Sequence, residues 1–398
     1  MPYYSYQYRI YPTKTQIATL ETYSDTLRRW WNTINGLMRN KDSPEWEPLL
    51  RATEREKKDF WTIKYYIKHL RAINPYFADM PYDSLTDIVS RFETTWKEFW
   101  KKPERGKPKF KPFDAAVFVS LRCRKPDPSK LISGQKGKHA WLKFPKIGDV
   151  KTVYHRAIPE NHSIEWLIIN RNKTGKWFVT CQIRSDEPRR LYPEQSCDSV
   201  GIDLGIHHLL ALSDGTIIDN PKWFVTNQQR LRVLSRKASW RGKWSKADSK
   251  GHKRLLKKTR RHEDTRLELA HHHGHIKNRR MNYYHELTTW LTNTYRVIVL
   301  EDINWKWLRD NKRMAKAIGD AAFGIFYGLL EAKAVERGCE VIYVPPHYTS
   351  QLCSGCGEMV KKDLSVRVHH CPHCGLKIDR DVNAAINILA RGDLLNVV

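Results

Sequence analysis

Two C-x-x-C-G turns near the end of the chain constrain its fold most strongly. Cys353-Ser-Gly-Cys356 and Cys371-Pro-His-Cys374 are separated by fourteen residues, and each pair is followed by glycine. Four thiolates presented by two tight turns suit tetrahedral Zn²⁺, and a site closed by four cysteines leaves no open position for catalysis. We therefore predict one structural zinc ion, held by Cys353, Cys356, Cys371 and Cys374.

Histidines lie beside these turns and in one further cluster. His369, His370 and His373 flank the second turn. Because the repeated C-x-x-C-G unit already completes the ligand set, we predict that these three are solvated or face nucleic acid. A second group lies on a polar helical segment without fixed ligand geometry, and we expect no metal there: His271, His272, His273 and His275.

The excess of positive charge limits which class of protein this chain can be. The chain of 398 residues has 70 Lys and Arg against 43 Asp and Glu, a net charge of +27. Aromatic residues make up 11% of the chain, which is typical of a folded protein rather than a disordered one. Excess positive charge on a folded chain indicates a polyanionic partner, most simply nucleic acid, although a generally basic enzyme is an alternative.

The sequence shows neither a signal-peptide pattern nor an apolar run near the ~20 residues of a membrane span. Eight cysteines in such a chain are not expected to form a disulfide framework. We therefore expect a cytoplasmic protein.

The first half of the chain changes from helical to strand periodicity. Alternating tyrosines predict a first strand, and Thr13 with Gln16 has the spacing of a capping box that begins a helix. Ser84 with Asp87 is expected to begin a second helix, so 13–100 is predicted to be mainly helical. A Pro- and Lys-rich connector follows, and then a β-rich block.

The second half predicts the order strand, hairpin, helical insertion, strand, helix, strand, helix, which fits a ribonuclease-H-like α/β core. The hairpin turns at Asp214–Gly215, and the last helix is expected to end just before Gly392. The insertion, 228–285, has 18 Lys and Arg against four acidic residues and so contributes +14.

We predict that basic residues of this insertion contact phosphates, with Leu255 and Leu256 of a helix turned to the core. The candidate nucleic-acid-binding residues are Lys253, Arg254, Lys257, Lys258, Arg260, Arg261, Lys277 and Arg280.

Three acidic residues stand where elements of this core begin or end. Asp203 follows an apolar strand, Glu301 ends another, and Asp381 opens the last helix. A carboxylate at the end of a buried strand is costly unless it is paired or bound to metal. Three that converge suit two Mg²⁺ ions about 4 Å apart, an arrangement that cleaves phosphodiesters.

Simpler roles stay open for each acid. Asp203 suits a turn, Asp381 or Asp379 suits a helix N-cap, and Glu301 with Asp302 suits a strand-end charge pair. Adjacent strand residues face opposite ways, so one of Glu301 and Asp302 at most can reach the site.

A rival interpretation is an actin- or Hsp70-like ATPase. Gly201-Ile-Asp-Leu-Gly205 also resembles the phosphate-binding hairpin of those proteins. The sequence lacks a second Asp-x-Gly hairpin and a Gly-rich adenosine loop. The ATPase interpretation also leaves the cysteines and the basic insertion without a role.

Taken together, these motifs resemble the TnpB family, the transposon-encoded RNA-guided DNA nucleases, and their relatives the compact type V CRISPR effectors. The resemblance covers about 196–398 and rests on these segments: Gly201-Ile-Asp-Leu-Gly-Ile206, Ile276-Lys-Asn-Arg-Arg280, Leu300-Glu-Asp-Ile-Asn304, Tyr348-Thr-Ser-Gln351 leading into the first cysteine pair, both C-x-x-C-G turns, and Asp379-Arg-Asp-Val-Asn383 with the helix that follows.

The resemblance implies a multi-domain α/β fold. A wedge-type β-barrel domain (1–12 and 101–195) is interrupted by a helical recognition lobe (13–100). A ribonuclease-H-like (RuvC) nuclease domain follows, formed by 196–349 and 377–398. It carries the long helical insertion, and the zinc ribbon at 350–376 is inserted into it to bind target nucleic acid.

The resemblance also implies an activity, cofactors and partners. Asp203, Glu301 and Asp381 become the carboxylates that hold two catalytic Mg²⁺ ions, beside one structural Zn²⁺. The partners are a guide RNA encoded at the transposon end and target double-stranded DNA, which is cut next to a short flanking motif. The protein is expected to act as a monomer, associated with the nucleoid when bound to DNA. A guided DNA-binding protein without cleavage, and a type V effector using CRISPR RNA, are the alternatives.

Overall fold

The computed structural model describes residues 3–113, 119–158, 163–184, 195–244, 255–257, 259–303, 315–363 and 366–396. The chain divides into two compact units, Met1–Glu187 and Pro188–Val398. No helix in these ranges is both long and apolar enough to cross a bilayer.

Most helices of the first unit lie between its first and second strands in the sequence. The helices of this unit are α1 (Lys14–Arg39), α2 (Trp46–Thr53), α3 (Phe60–Ile73), α4 (Pro75–Ala78), α5 (Tyr82–Lys101), a 3₁₀ turn at Pro103–Arg105, and α6 (Pro128–Leu131). The predicted capping box at the start of α1 is confirmed. The Thr13 hydroxyl accepts from the Gln16 N–H, and the Gln16 side chain accepts from the Thr13 N–H.

The predicted start of the second long helix is wrong by two residues. Helix α5 begins at Tyr82, and Ser84 lies inside its first turn. The Ser84 hydroxyl bonds to the backbone of Arg122 rather than to its own helix. The Asp87 carboxylate pairs with Arg91 of the same helix at 2.8 Å and with the Arg122 side chain of the sheet at 3.4 Å. Both residues therefore attach the helix to the sheet instead of capping it.

The sheet of the first unit has seven antiparallel strands in the order β2-β6-β7-β1-β5-β4-β3. The strands are β1 (Tyr3–Tyr11), β2 (Leu121–Arg124), β3 (Ile132–Lys136), β4 (His139–Phe144), β5 (Gly148–Val153), β6 (Ser163–Arg171) and β7 (Trp177–Arg184). Within the described ranges β2 and β3 are its edges, so the sheet is a half-barrel, and the predicted wedge-type β-barrel domain is confirmed only to that extent.

One hydrophobic core runs through the first unit. Buried residues of the helices, such as Leu27 and Phe92, belong to the same cluster as Tyr8 and Val179 of the sheet. The predicted helical lobe and β-rich segments thus share their interior, and their division into separate domains stays a prediction.

The second unit is built on a five-stranded mixed sheet in the order β10-β9-β8-β13-β14. Its strands are β8 (Cys197–Leu204), β9 (His208–Leu212), β10 (Ile217–Asp219), β13 (Tyr295–Glu301) and β14 (Glu340–Val344). Strands β8, β13 and β14 run parallel, and β9 and β10 return antiparallel as the predicted hairpin. Two short ribbons complete the strands: β11 (Lys243–Trp244) with β12 (Leu255–Lys257), and β15 (Val368–His370) with β16 (Lys377–Asp379).

The helices of this unit are α7 (Trp223–Arg241), α8 (Arg260–Thr294), α9 (Ala315–Ala321), α10 (Phe323–Arg337) and α11 (Arg380–Asn396). They follow the predicted order, except that the single helix predicted between the last two strands of the core is divided at Ala322, whose φ of 52° is left-handed.

The described part of the basic insertion is not helical throughout. Leu255–Lys257 form strand β12, which pairs with β11, and α8 begins only at Arg260. The Thr259 hydroxyl caps this helix by accepting from the His262 N–H at 3.1 Å. The expectation that Leu255 and Leu256 belong to a helix is therefore wrong.

Helix α11 does not end at Gly392 as predicted but continues to Asn396. Gly392 packs against β13 instead. A Cβ at this position would lie 2.5 Å from Val299 Cγ2, closer than side chains pack. Gly392 thus lets the helix pack closely on the sheet and does not end the helix.

Candidate functional site

Asp203 and Glu301 are neighbours on the two central parallel strands. The register of β8 and β13 aligns Ile202 with Leu300, so the next residues along the strands, Asp203 and Glu301, stand side by side. Side chains at matching positions of paired strands lie on the same face of a sheet. Glu301 is 7% exposed, and Asp203 is half-buried.

Asp302, unlike Glu301, lies in a solvent-exposed environment. Its side chain is exposed, as alternation along the chain after Glu301 requires. Of the two adjacent acids, the buried one is therefore beside Asp203.

Helix α11 brings Asp381 to the same place by packing closely on β8. A Cβ at Gly201 would lie 2.1 Å from the Ala385 carbonyl oxygen, so this glycine admits the helix backbone. Next to the end of β8, the Cβ position of Gly205 lies 3.9 Å from Asp381 Oδ2. The first turn of α11 thus stands over the strand that carries Asp203.

Asp379 is the N-cap that the sequence left undecided. Its Oδ1 accepts from the backbone N–H of Asp381 at 2.8 Å and of Val382 at 3.3 Å. A capping carboxylate stabilises a helix by satisfying its first N–H groups. Because Asp379 has this role, the Asp381 carboxylate is not required for it.

The closeness of the three acids changes the acidity of Asp203. Burial, followed by the negative charges of Glu301 and Asp381, raises the pKa of Asp203 well above its usual range. Burial also raises the pKa of Glu301, against the hydrogen bond from Thr349 and the positive charge of Arg391. Carboxylate oxygens that repel one another suit a hard divalent cation, which relieves the repulsion, and oxygen is the ligand type that Mg²⁺ takes.

The four predicted cysteines converge. The Cys353 and Cys374 sulfurs are 3.5 Å apart, and those of Cys356 and Cys371 are 3.6 Å apart. Four sulfurs at Zn–S distances of ~2.3 Å in a tetrahedron would be about 3.8 Å apart. All eight cysteines of the chain are free thiols, so the cluster is no pair of disulfides and could hold a zinc ion.

The two C-x-x-C-G turns have the same backbone pattern. In each, the N–H of the glycine donates to the carbonyl of the first cysteine: Gly357 to Cys353 at 2.8 Å and Gly375 to Cys371 at 3.0 Å. Both glycines have positive φ, 77° and 75°. The N–H groups of Cys374 and then His373 point at the Cys371 sulfur, which lowers the pKa of this thiol to about 6 and favours the thiolate that binds metal.

The prediction for the flanking histidines is wrong in one case. His370 and His373 are exposed, but His369 is buried and hydrogen-bonded to the Lys362 amine. The reason is that β15 alternates, with its middle residue facing inward.

Elsewhere in the described ranges, no further group of three or more His, Cys, Asp and Glu residues has ligand atoms that all lie within 4.8 Å of one another. That no metal binds at His271, His272, His273 and His275 stays a prediction. The three acids do not form a tight set around a single ion.

Residues with no predicted role connect the cysteines to the acids. The Thr349 hydroxyl donates to Glu301 Oε1. The Asn387 amide donates to the Thr349 carbonyl at 2.8 Å, and the Asn383 amide donates to the Leu352 carbonyl at 2.8 Å. Thr349, Asn383 and Asn387 belong to segments that the resemblance singled out, but sequence spacing gives no sign of these contacts.

The predicted phosphate-binding residues are only partly described. Arg260, Arg261 and Lys277 are exposed on α8. The Arg280 side chain is 15% exposed and pairs with the Asp320 carboxylate at 3.0 Å, so its charge is engaged within the unit. Lys257 lies in β12, and Lys253, Arg254 and Lys258 lie outside the described residues. Nucleic-acid binding by this set stays a prediction.

Three family profiles match the chain in order along its length. A helix-turn-helix domain of the OrfB/IS605 family matches 3–41, where the structure has β1 and α1. The OrfB/IS605 family described as "Probable transposase" matches 181–312, which includes Asp203 and Glu301. The Cas12f1-like TNB domain matches 323–388, which includes the four cysteines and Asp381.

Curated relatives agree with these profiles. A protein of Streptomyces pristinaespiralis named "Putative RNA-guided DNA endonuclease" is 33% identical over 60% of this chain and 56% of its own length. InsQ of Escherichia coli, given the same description, is 28% identical over 80% of this chain and 76% of its own length. The TnpB-like protein L79 of Acanthamoeba polyphaga mimivirus is 28% identical over 31% of this chain and 25% of its own length. The chain thus spans little more than half of the first relative.

Two similar solved structures have lower sequence identity to this chain than these curated relatives do. A Cas12f1 complex with single-guide RNA and target DNA is 14% identical at a TM-score of 0.33, covering 98% of this chain and 99% of that one. The RNA-guided endonuclease CRISPR-Cas phi3 is 10% identical at a TM-score of 0.44, covering 98% and 92%. The ordered family profiles and the curated relatives, rather than these distant structures, make this chain similar to the OrfB/IS605 and TnpB-like proteins.

Proposed function

We propose that this protein is an RNA-guided, Mg²⁺-dependent DNA endonuclease that cuts double-stranded DNA next to a short flanking motif, using a guide RNA encoded by its transposon. The observation that carries the proposal is the convergence of Asp203, Glu301 and Asp381, in which burial and the two other charges raise the pKa of Asp203. Similarity to relatives named as RNA-guided DNA endonucleases supports the guided activity.

The second unit would then be a ribonuclease-H-like (RuvC) nuclease domain. Its three acids would hold two Mg²⁺ ions, which when bound activate water and stabilise the leaving oxygen of the phosphodiester. The folded chain itself fixes the positions of the three carboxylates. The strand register aligns Asp203 with Glu301, and Asp379 caps α11 so that Asp381 is free to face them. The four cysteines would hold a structural zinc ion.

The partners would be the guide RNA and the target DNA. Among the basic candidates, Arg260, Arg261 and Lys277 are exposed and suited to phosphate contact. Replacing Arg260 and Arg261 together by Gln should weaken nucleic-acid binding and reduce the slope of log affinity against log salt by about 2. Arg266→Gln is the matched control, because the Arg266 guanidinium already pairs with Glu263 at 3.1 Å.

Two alternatives within the same family differ in observable ways. A guided DNA-binding protein would bind matched DNA without cutting it, and the presence of all three acids favours cutting. A type V effector would carry CRISPR RNA instead of transposon-derived RNA. The remote ATPase alternative predicts nucleotide turnover without bound RNA.

Acid substitutions test the proposed site. Asp203→Ala, Glu301→Ala and Asp381→Ala should each abolish Mg²⁺-dependent cleavage while guided DNA binding survives. Asp302→Ala is the matched control, since Asp302 adjoins Glu301 but is exposed, and it should cut at the wild-type rate. Cleavage by any of the three site variants would overturn the assignment, as would a loss in the control equal to theirs.

A further inference from the structure

A buried hydroxyl contacts one of the three acids directly. Thr349, 4% exposed, donates its hydroxyl to Glu301 Oε1, and Glu301 is itself 7% exposed. The other acceptor near this hydroxyl is the Pro346 carbonyl, at the limiting distance of 3.5 Å. A hydroxyl has one proton to donate, so the carboxylate is its main acceptor.

The backbone beside Thr349 is held in an unusual conformation. Tyr348 has a φ of 62°, in the left-handed region that a bulky residue seldom adopts, and its side chain is 60% exposed. A conformation of this kind is strained and persists where surrounding contacts impose it. The turn therefore points the Thr349 side chain inward, while Tyr348 adopts the strained backbone conformation.

The contacts that impose this turn come from the helix that carries Asp381. The Asn387 amide donates to the carbonyls of Thr349 and Leu352, both at 2.8 Å. The Asn383 amide donates to Leu352 and accepts from the Ser354 N–H at 3.0 Å. Thr349 thus stands between two acids on different elements, bonded to Glu301 by its side chain and to α11 by its backbone.

We propose that Thr349 is a positioning residue for Glu301. By engaging Oε1, its hydroxyl fixes the carboxylate so that the other oxygen is held toward Asp203 and Asp381, and Asn387 of α11 holds the Thr349 backbone in place. This inference rests on the proposed nuclease site. A carboxylate released from such a contact would sample other rotamers, and losing an outer partner of a metal ligand typically costs about 10- to 100-fold in metal affinity or activity.

The test uses the full-length, zinc-loaded chain and Mn²⁺ as a spectroscopic probe for the divalent site. Thr349→Val removes the hydroxyl at nearly constant volume, and Thr349→Ser keeps it. We expect electron paramagnetic resonance titrations to show about 10- to 100-fold weaker Mn²⁺ binding in the valine variant, with a matching loss of cleavage and unchanged zinc content. The serine variant should bind Mn²⁺ like the wild type.

Two controls separate positioning from general stability and from the proposed function. Thr288→Val removes another buried hydroxyl of the same unit, which donates to the Tyr284 carbonyl, and should lower the melting temperature without changing Mn²⁺ affinity. Glu301→Gln should lose Mn²⁺ affinity. If it does not, the nuclease site itself is wrong.

If Glu301→Gln loses Mn²⁺ but Thr349→Val binds it like the wild type, the positioning role alone is overturned. Equal losses in Thr349→Ser and Thr349→Val overturn it as well. Should the valine variant fail to fold, Thr349→Ala replaces it in the same comparison with the serine variant.

Discussion

The close contact between α11 and β8 predicts that Gly201→Ala is strongly disruptive. The added Cβ would lie 2.1 Å from the Ala385 carbonyl oxygen, 2.6 Å from the Leu389 nitrogen and 2.8 Å from the Leu389 Cβ. Non-bonded heavy atoms prefer about 3.5–4.0 Å, so the helix must withdraw by roughly 1 Å or more. Two of the three atoms belong to the helix backbone, and no side-chain rotation can relieve those contacts.

Overpacking of this kind costs about 1–3 kcal/mol, and we expect the upper end of that range. Amide hydrogen exchange in the segment 380–396 measures this destabilisation locally. If the free energy of opening falls by about 3 kcal/mol, exchange through opening becomes roughly 100-fold faster. Because the withdrawn helix carries Asp381, cleavage should also fall about 100-fold, the usual cost of a 1 Å misplacement at a reacting centre.

Gly328→Ala is the matched control. Gly328 lies inside α10, and a Cβ there would meet nothing within 4 Å. Alanine in a helix interior is favoured by about 0.5–1 kcal/mol, so this variant should be slightly more stable and fully active. Wild-type exchange and cleavage in Gly201→Ala would refute the packing argument.

Three further predictions concern charge and metal. Cys371→Ser should lose zinc content and melting temperature together, whereas Cys197→Ser, at an exposed free thiol, should keep both. Because the folded-state pKa of Asp203 is raised, the metal-free protein binds more protons folded than unfolded and loses stability as the pH rises through that range. Asp203→Asn should therefore melt higher than the wild type at neutral pH without metal, and Mg²⁺ should stabilise the wild type but not the variant. Asp379→Ala should destabilise α11 by about 1 kcal/mol, measured by hydrogen exchange, because it removes the N-cap.

Features that depend on local sequence could be predicted. The capping box at Thr13, the cysteine turns and the acids at element ends follow from short motifs and periodicity, and strand alternation correctly separates Glu301 from Asp302. The element order of the second unit also follows from patterns of buried strands and helices. These predictions hold because the determining contacts lie within a few residues along the chain.

Features that depend on tertiary contacts could not be predicted. Gly392 resembles a helix C-cap in sequence, but its packing against Val299 decides its role. Ser84 and Asp87 resemble a helix start, yet both bond to Arg122 of the sheet. The hydroxyl of Thr349 lies 48 positions from Glu301 in the sequence, so only the folded chain shows their contact.

The central claim is guided cleavage, and one measurement tests it most directly. The RNA that copurifies with the protein is sequenced, and double-stranded DNA libraries matching its variable end, with randomised flanking sequence, are incubated with the complex in Mg²⁺ or EDTA. We predict that both strands of matched DNA are cut beside one short flanking motif in Mg²⁺, and that EDTA and unmatched DNA give no product. Binding of matched DNA without cleavage, or equal cleavage of unmatched DNA, would contradict the claim.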